Sequence, residues 1–167
     1  GFMGTGKTTA GRLLAQRLSW EFLDTDEMIA AREKMAITRI FQVHGETYFR
    51  DCETRAVAEA AGANRTVISL GGGALERPEN TGVLKKNGVI VCLDAEPAII
   101  VLRTMKTRDR PLLLKSTDAL GVIRELMRKR EPSYRQADLF IDTSSLSPEE
   151  TADAILFFVD GKQGMTA

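Results

Sequence analysis

An α/β fold with a parallel sheet is what this sequence predicts, on three observations. The first is the run Gly1-Phe2-Met3-Gly4-Thr5-Gly6-Lys7-Thr8. It matches G-x-x-x-x-G-K-[ST], a phosphate-binding loop that normally joins a buried parallel strand to a helix. The second is the alternation of helical segments with short apolar runs along the rest of the chain, the signature of crossover-connected parallel strands. The third is Asp24-Thr25-Asp26 at the end of a strand-like segment, because open α/β sheets bind ligands at the C-terminal ends of their strands.

The elements follow in order. Leu13, Leu14 and Leu18 share one side of a helix opened by Lys7-Thr8-Thr9, with Arg12, Gln16 and Arg17 elsewhere on its surface. Glu21-Phe22-Leu23-Asp24 reads as a short strand. Helices are expected over 27–34, 38–44 and 46–61, broken at Met35-Ala36 and at Gly45. Val67-Ile68-Ser69-Leu70 is a β-rich strand that runs into Gly71-Gly72-Gly73. A helix near 81–86 leads to Val89-Ile90-Val91-Cys92-Leu93, the most continuous apolar run and therefore a buried strand. Pro97 stands in the first turn of the next helix, where a missing N–H is harmless. Residues 107–116 read as a loop, followed by a helix to about Arg130. Leu139-Phe140-Ile141 is the last strand. Ser147-Pro148-Glu149-Glu150 combines a cap, a Pro at the first helical position and acidic residues in the first turn, so a closing helix starts there. One domain over 1–160 is expected, with a frayed tail over 161–167.

The phosphate loop names its ligand class. Its backbone N–H groups curl around the β- and γ-phosphates of a nucleotide, with Gly4 and Gly6 permitting close approach and Thr5 and Thr9 lying within the same cradle. Lys7 adds a point charge, and the Thr8 hydroxyl is a ligand for Mg²⁺. The following helix aims its positive end at the same anion. The strand that should precede such a loop would lie upstream of Gly1, so the sequence reads as lacking its first strand. At Asp24-Thr25-Asp26, alternation at a strand end turns the two carboxylates apart, one toward the metal and one toward a second substrate. A carboxylate that orients an acceptor hydroxyl and takes its proton is a recurring part of kinases. The triplet is equally a good helix N-cap.

Composition narrows the partners. Lys+Arg and Asp+Glu both total 23, so no net charge draws the chain to nucleic acid or to a membrane surface. The basic runs Arg103–Arg110 and Arg124–Arg130 read mainly as solvated helix faces. Cys52 and Cys92 are isolated, without metal-ligand spacing or a disulfide framework. That usage, with no signal peptide or membrane-length apolar run, predicts a cytoplasmic location.

The motifs taken together resemble the shikimate kinase family. They are the phosphate loop through Thr9, Asp24-Thr25-Asp26, and the stretch Phe41-x-x-x-Gly45-Glu46-x-x-Phe49-Arg50-x-x-Glu53. Leu70-Gly71-Gly72-Gly73-Ala74, Arg110-Pro111-Leu112-Leu113 and Arg130-Glu131-Pro132-Ser133-Tyr134 complete the set, in the family's order. The resemblance implies a three-layer α/β/α nucleoside-monophosphate-kinase-like fold of strand order 2-3-1-4-5. It implies transfer of the γ-phosphate of ATP to the 3-hydroxyl of shikimate, in aromatic amino-acid biosynthesis, by an enzyme that is mostly monomeric among relatives. It assigns Arg50 and Arg130 to the acceptor carboxylate and Asp26 to its hydroxyls and to the role of base. It places Gly72 against the ring, Asp24 on Mg²⁺ through water, and Arg110 in a lid at 107–116 that reaches the transferring phosphates beside Lys7. Guanidinium forks suit a carboxylate, and Glu53, three residues after Arg50 on a helix, is spaced to orient it. Ser69 is either a water-mediated helper or an ordinary strand serine.

Two departures stand out. The family's central first strand is absent, and Ser144-Ser145-Leu146 carries no basic residue where some relatives place one near the adenine. Rival readings are a gluconate or nucleoside monophosphate kinase, or a nucleotide-binding module without catalysis. The triple glycine disfavours the first two, and the presence of Asp26, Arg50 and Arg130 disfavours the third.

Overall fold

Strand pairing divides the sheet into two halves. In the computed structural model, which describes residues 1–107 and 118–163, β1 (Glu21–Asp24) pairs in parallel with β2 (Thr66–Ser69). Likewise β3 (Val91–Asp94) pairs in parallel with β4 (Leu139–Asp142). Among the described residues no strand joins the two pairs. The expected order 2-3-1-4-5, without its first strand, leaves these same pairs, 2-3 and 4-5. Gly1 lies between them, against the Leu93 backbone on one side and near Gly72 on the other. The phosphate loop therefore emerges between the halves at their C-terminal ends.

Helices cover both faces, because successive strand residues point to opposite sides. On one face Leu93 and Ile141 pack with Ala10 and Leu14 of α1 (Lys7–Leu18) and with Ala152 and Ile155 of α7 (Pro148–Gln163). On the other, Cys92 joins Phe2, Val57, Leu84, Ile100 and Ile123. These come from the loop, α3 (Ile37–Ala60), α4 (Pro78–Asn87), α5 (Pro97–Thr107) and α6 (Ala119–Tyr134). Phe2, Ile100 and Ile123 are fully buried, each worth roughly 1.5–3 kcal/mol relative to exposure. A third cluster of Ile29, Ile40, Phe49, Cys52 and Ala56 sits between α2 (Thr25–Glu33) and α3. Among the described residues no helix is long and apolar enough to cross a membrane.

Most boundaries fall close to expectation, and the differences have local causes. α2 begins at Thr25 rather than Glu27 because the Asp24 side chain caps it. α4 begins at Pro78, preceded by a 3₁₀ turn over Ala74–Glu76, and β3 starts at Val91 rather than Val89. α6 runs to Tyr134, past the expected end near Arg130 and through Pro132. That extension matters, because it sets Tyr134 one turn beyond Arg130 on the same helix face. α7 continues through Gln163, beyond Gly161 where the tail was expected. The expected lid with Arg110 lies outside the described residues, apart from Thr107 at the end of α5, as do 164–167.

Gly45 breaks α3 as the sequence predicts, with φ 81° and ψ 176°. A β-carbon is strained in that region, which essentially only glycine occupies. The break lets Ile40 of the first half and Phe49, Cys52 and Ala56 of the second pack in one cluster with Ile29 of α2, while the second half also buries Glu53, Val57 and Ala60. Gly45→Ala should therefore lower stability by about 1–3 kcal/mol, read as a reduced urea midpoint at unchanged slope. An unaffected midpoint would mean that the kink relaxes without strain.

Candidate active site

The phosphate loop is preformed. Gly4 and Gly6 take positive φ of 75° and 90°, and Gly6 is the N-cap of α1. The buried Thr5 hydroxyl donates to the Phe2 carbonyl at 2.8 Å, and Lys7 Nζ donates to the same oxygen at 2.7 Å. Lys7 is thereby folded back over the loop it serves. A cleft of about 470 Å³ opens beside it, lined by residues 3–10 with Arg103, Thr143, Leu146 and Pro148 among others.

Arg103 is an exception within a basic run read mainly as a solvated face. Its Nη2 donates to the Thr143 carbonyl at 2.6 Å and its Nη1 to Thr143 Oγ1 at 3.1 Å. A weaker contact at 3.4 Å reaches the Gly4 carbonyl. Thr143 in turn hydrogen-bonds the Thr5 carbonyl at 3.1 Å. The end of β4 is thus tied to the loop, and a planar cation lines the cleft although the Ser144–Leu146 segment carries none.

At the strand ends the register sets Asp24 directly beside Ser69. Asp24 Oδ2 accepts from the Thr8 hydroxyl at 3.0 Å, and Ser69 Oγ lies 3.4 Å from the same hydroxyl. Asp24 Oδ1 accepts from the backbone N–H groups of Asp26 at 3.0 Å and Glu27 at 3.4 Å. The capping reading of the triplet holds, since Asp24 caps α2, and its other oxygen faces the phosphate loop. The three converging donors are all oxygens, the chemistry of a hard cation that retains several waters. Among the described residues no group of three or more His, Cys, Asp or Glu side chains forms a cation cage. The buried Thr25 accepts from Gly71 N–H at 3.1 Å, fastening the glycine loop to the start of α2.

The triple glycine is a wall against which the remaining predicted residues lie. A Cβ at Gly71 would stand 2.7 Å from Glu53 Oε1 and 2.8 Å from Asp26 Oδ1. At Gly72 it would stand 3.3 Å from Arg130 Nη1 and 3.7 Å from the Tyr134 hydroxyl, and at Gly73 it would overlap the Arg50 guanidinium. Against the protein's own side chains, the tightest of the three approaches is at Gly73.

Charge pairing holds these groups. Arg50 Nη1 donates to Glu53 Oε2 at 2.7 Å, the orienting contact expected from their spacing, and Nη2 to Glu46 at 3.2 Å. Arg130 Nε donates to Glu76 Oε1 at 2.9 Å, and Arg50 Nη2 lies 3.8 Å from the same oxygen. Tyr134 donates to the Gly72 carbonyl at 2.7 Å. Glu76, Tyr134, Thr25 and Arg103 were not singled out from sequence. Tyr134 stood within a recognised motif, one turn after Arg130, and that spacing was the signal available.

With this geometry in place, comparison with known proteins decides the family. A family model described as shikimate kinase matches residues 3–160. The chain belongs to the shikimate kinase family. A shikimate kinase of Caldanaerobacter subterraneus subsp. tengcongensis is 46% identical over 156 residues, 93% of this chain and 91% of the relative. One of Geobacter sulfurreducens is 42% identical over 159 residues, 95% and 87% of the two chains. Among solved structures, a shikimate kinase from Acinetobacter baumannii in complex with shikimate superposes with a TM-score of 0.90 at 35% identity, covering 97% of this chain and 90% of that one. Membership sets aside the gluconate and nucleoside monophosphate kinase readings.

Burial pushes the Glu53 carboxyl above the ordinary range, with Arg50 opposing and Asp26 and Glu76 adding to the rise. A raised folded-state pKa means the folded protein holds that proton more tightly than the unfolded chain. The associated stability is complete below the ordinary value of about 4.3 and is lost as pH rises through the folded value. Urea titrations from about pH 4 to 7 should show the stability difference, wild type minus Glu53→Gln, falling as pH rises. A difference that grows with pH would mean the Arg50 pair outweighs burial.

Proposed function

We propose that this chain is an ATP-dependent shikimate kinase that transfers the γ-phosphoryl group to the 3-hydroxyl of shikimate. The observation that carries the reading is the glycine wall, which gathers one carboxylate for a hydroxyl and two guanidinium groups beside a phosphate loop. Shikimate offers one carboxylate and three hydroxyls, a set that these side chains complement. The names of the relatives support the same acceptor.

ATP would lie along the loop, its phosphates on the N–H groups of 4–9 and on Lys7, its base against the planar Arg103 and the apolar Leu146 and Pro148. Magnesium fits the oxygen donors, with Thr8 as direct ligand and Asp24 reaching through water. When bound it would offset charge on the transferring phosphoryl group. Arg50 and Arg130 would hold the acceptor carboxylate and orient the ring, an entropic as well as electrostatic gain. Asp26 would accept the proton from the 3-hydroxyl as its oxygen bonds to the γ-phosphorus. The bond to the β-phosphate oxygen breaks with its electrons kept by ADP. Arg110, outside the described residues, is the lid arginine that the resemblance assigns to the transferring phosphates.

Asp26→Asn should keep ATP binding and lower turnover by ~10²–10⁴-fold, the usual loss for a general base. Near-normal turnover in a coupled ADP-release assay would remove Asp26 from the chemistry. Arg50→Lys and Arg130→Lys keep the charge and lose the planar fork. Calorimetry should find shikimate binding much weakened and ATP affinity little changed. The reverse pattern would mean that the two pockets are wrongly assigned.

A further inference from the structure

Arg130 has one edge already occupied in this structure. Its Nε donates to Glu76 Oε1 at 2.9 Å, while its Nη1 points to the space beside Gly72 and Tyr134. Glu76 is its sole ion-pair partner among the described residues, and the same oxygen lies 3.8 Å from Arg50 Nη2. Both arginine side chains are mostly buried, 13% and 16% exposed, so neither orients freely in water. Glu76 closes the short 3₁₀ turn that follows the glycine wall directly. One carboxylate on that loop therefore touches both groups assigned to the acceptor carboxylate.

We propose that Glu76 is a positioning residue for the acceptor: it holds the Nε edge of Arg130 so that the terminal nitrogens face the acceptor carboxylate. The proposal rests on the assignment of Arg130 to that carboxylate. A guanidinium presents its donors in a fixed plane, so fixing one edge aims the other. Tyr134 limits the same group from the opposite side, where its hydroxyl meets both Arg130 and the Gly72 carbonyl. Glu76 also brings negative charge close to where an anion binds. Its orienting bond and its charge therefore act in opposite directions on acceptor affinity, and two substitutions separate them.

Glu76→Ala removes both effects, whereas Glu76→Gln keeps an oxygen to accept from Nε and removes the charge. Steady-state kinetics on the full chain should give Glu76→Ala a shikimate KM raised by about tenfold or more, the factor of a hydrogen bond to a charged group. Its kcat and ATP KM should stay within about twofold, since the residue touches no part of the nucleotide cleft. Glu76→Gln should return the shikimate KM to the wild-type value or below. An unchanged or lowered KM in the alanine variant overturns the proposal, as does a glutamine variant as impaired as alanine. A fall in kcat and thermal stability together would mark Glu76 as merely structural and overturn it too. Arg130→Lys serves as the control. If it weakens shikimate binding while Glu76→Ala does not, only this inference fails; if it leaves shikimate binding intact, the acceptor assignment itself fails.

Discussion

The carboxylate of Asp24 is the joint on which the rest of the site depends. One oxygen accepts from the first N–H groups of α2, and the other accepts from Thr8 in the phosphate loop. A nearly buried carboxylate is stable only when its lone pairs are satisfied, and here the two sets of donors come from the phosphate loop and from the first turn of α2. The phosphate loop is fixed through Thr8, and the first turn of α2, which carries Asp26, through the backbone N–H groups that Asp24 accepts from. Parallel pairing of β1 with β2 brings Ser69 alongside, and Thr25 fastens the glycine loop one residue further on. The spacing between the phosphate loop and Asp26 is set by one hydrogen bond and two residues of chain rather than by side-chain flexibility.

The cluster around the triple glycine is a balance of charges more than a basic pocket. Arg50 and Arg130 stand among Glu46, Glu53, Glu76 and Asp26. Glu53 is buried within the stripe that α3 turns to the core. An unpaired carboxylate there would be strongly destabilising, so Arg50 serves the fold and the site through the same contact. Three glycines make this density possible. A β-carbon at Gly73 would occupy the space of the Arg50 guanidinium, and one at Gly71 would press on two carboxylates at once. The cluster therefore carries little net positive charge, and its guanidinium groups are held in fixed directions.

Most of the fold was legible because local signals agreed with each other. The loop motif, the strand over 21–24, the Gly45 break and the Pro148 start of the last helix each rest on residues that act on their own neighbours. The misreadings arose where contacts distant in sequence outweighed local preference. Pro132 argues for ending a helix, yet α6 continues to Tyr134, whose ring is buried and whose hydroxyl has a partner in Gly72. Arg103 looks like one more solvated cation until Thr143, forty residues away, is brought beside it.

By itself, then, the sequence determined the chemical vocabulary: a phosphate loop, a strand-end carboxylate pair and a glycine triplet recognisable at their spacings, with Arg50 and Arg130 marked out by the family resemblance. Spacing also foretold the Arg50–Glu53 contact, because a helix converts three residues into adjacency. Tertiary structure alone decided which groups share a partner. Glu76 is 26 residues from Arg50 and 54 from Arg130, and no periodicity connects the three. They meet because the loop after β2 passes between α3 and α6, and which charges become neighbours across such a junction depends on packing of whole elements, not on any local preference of the chain.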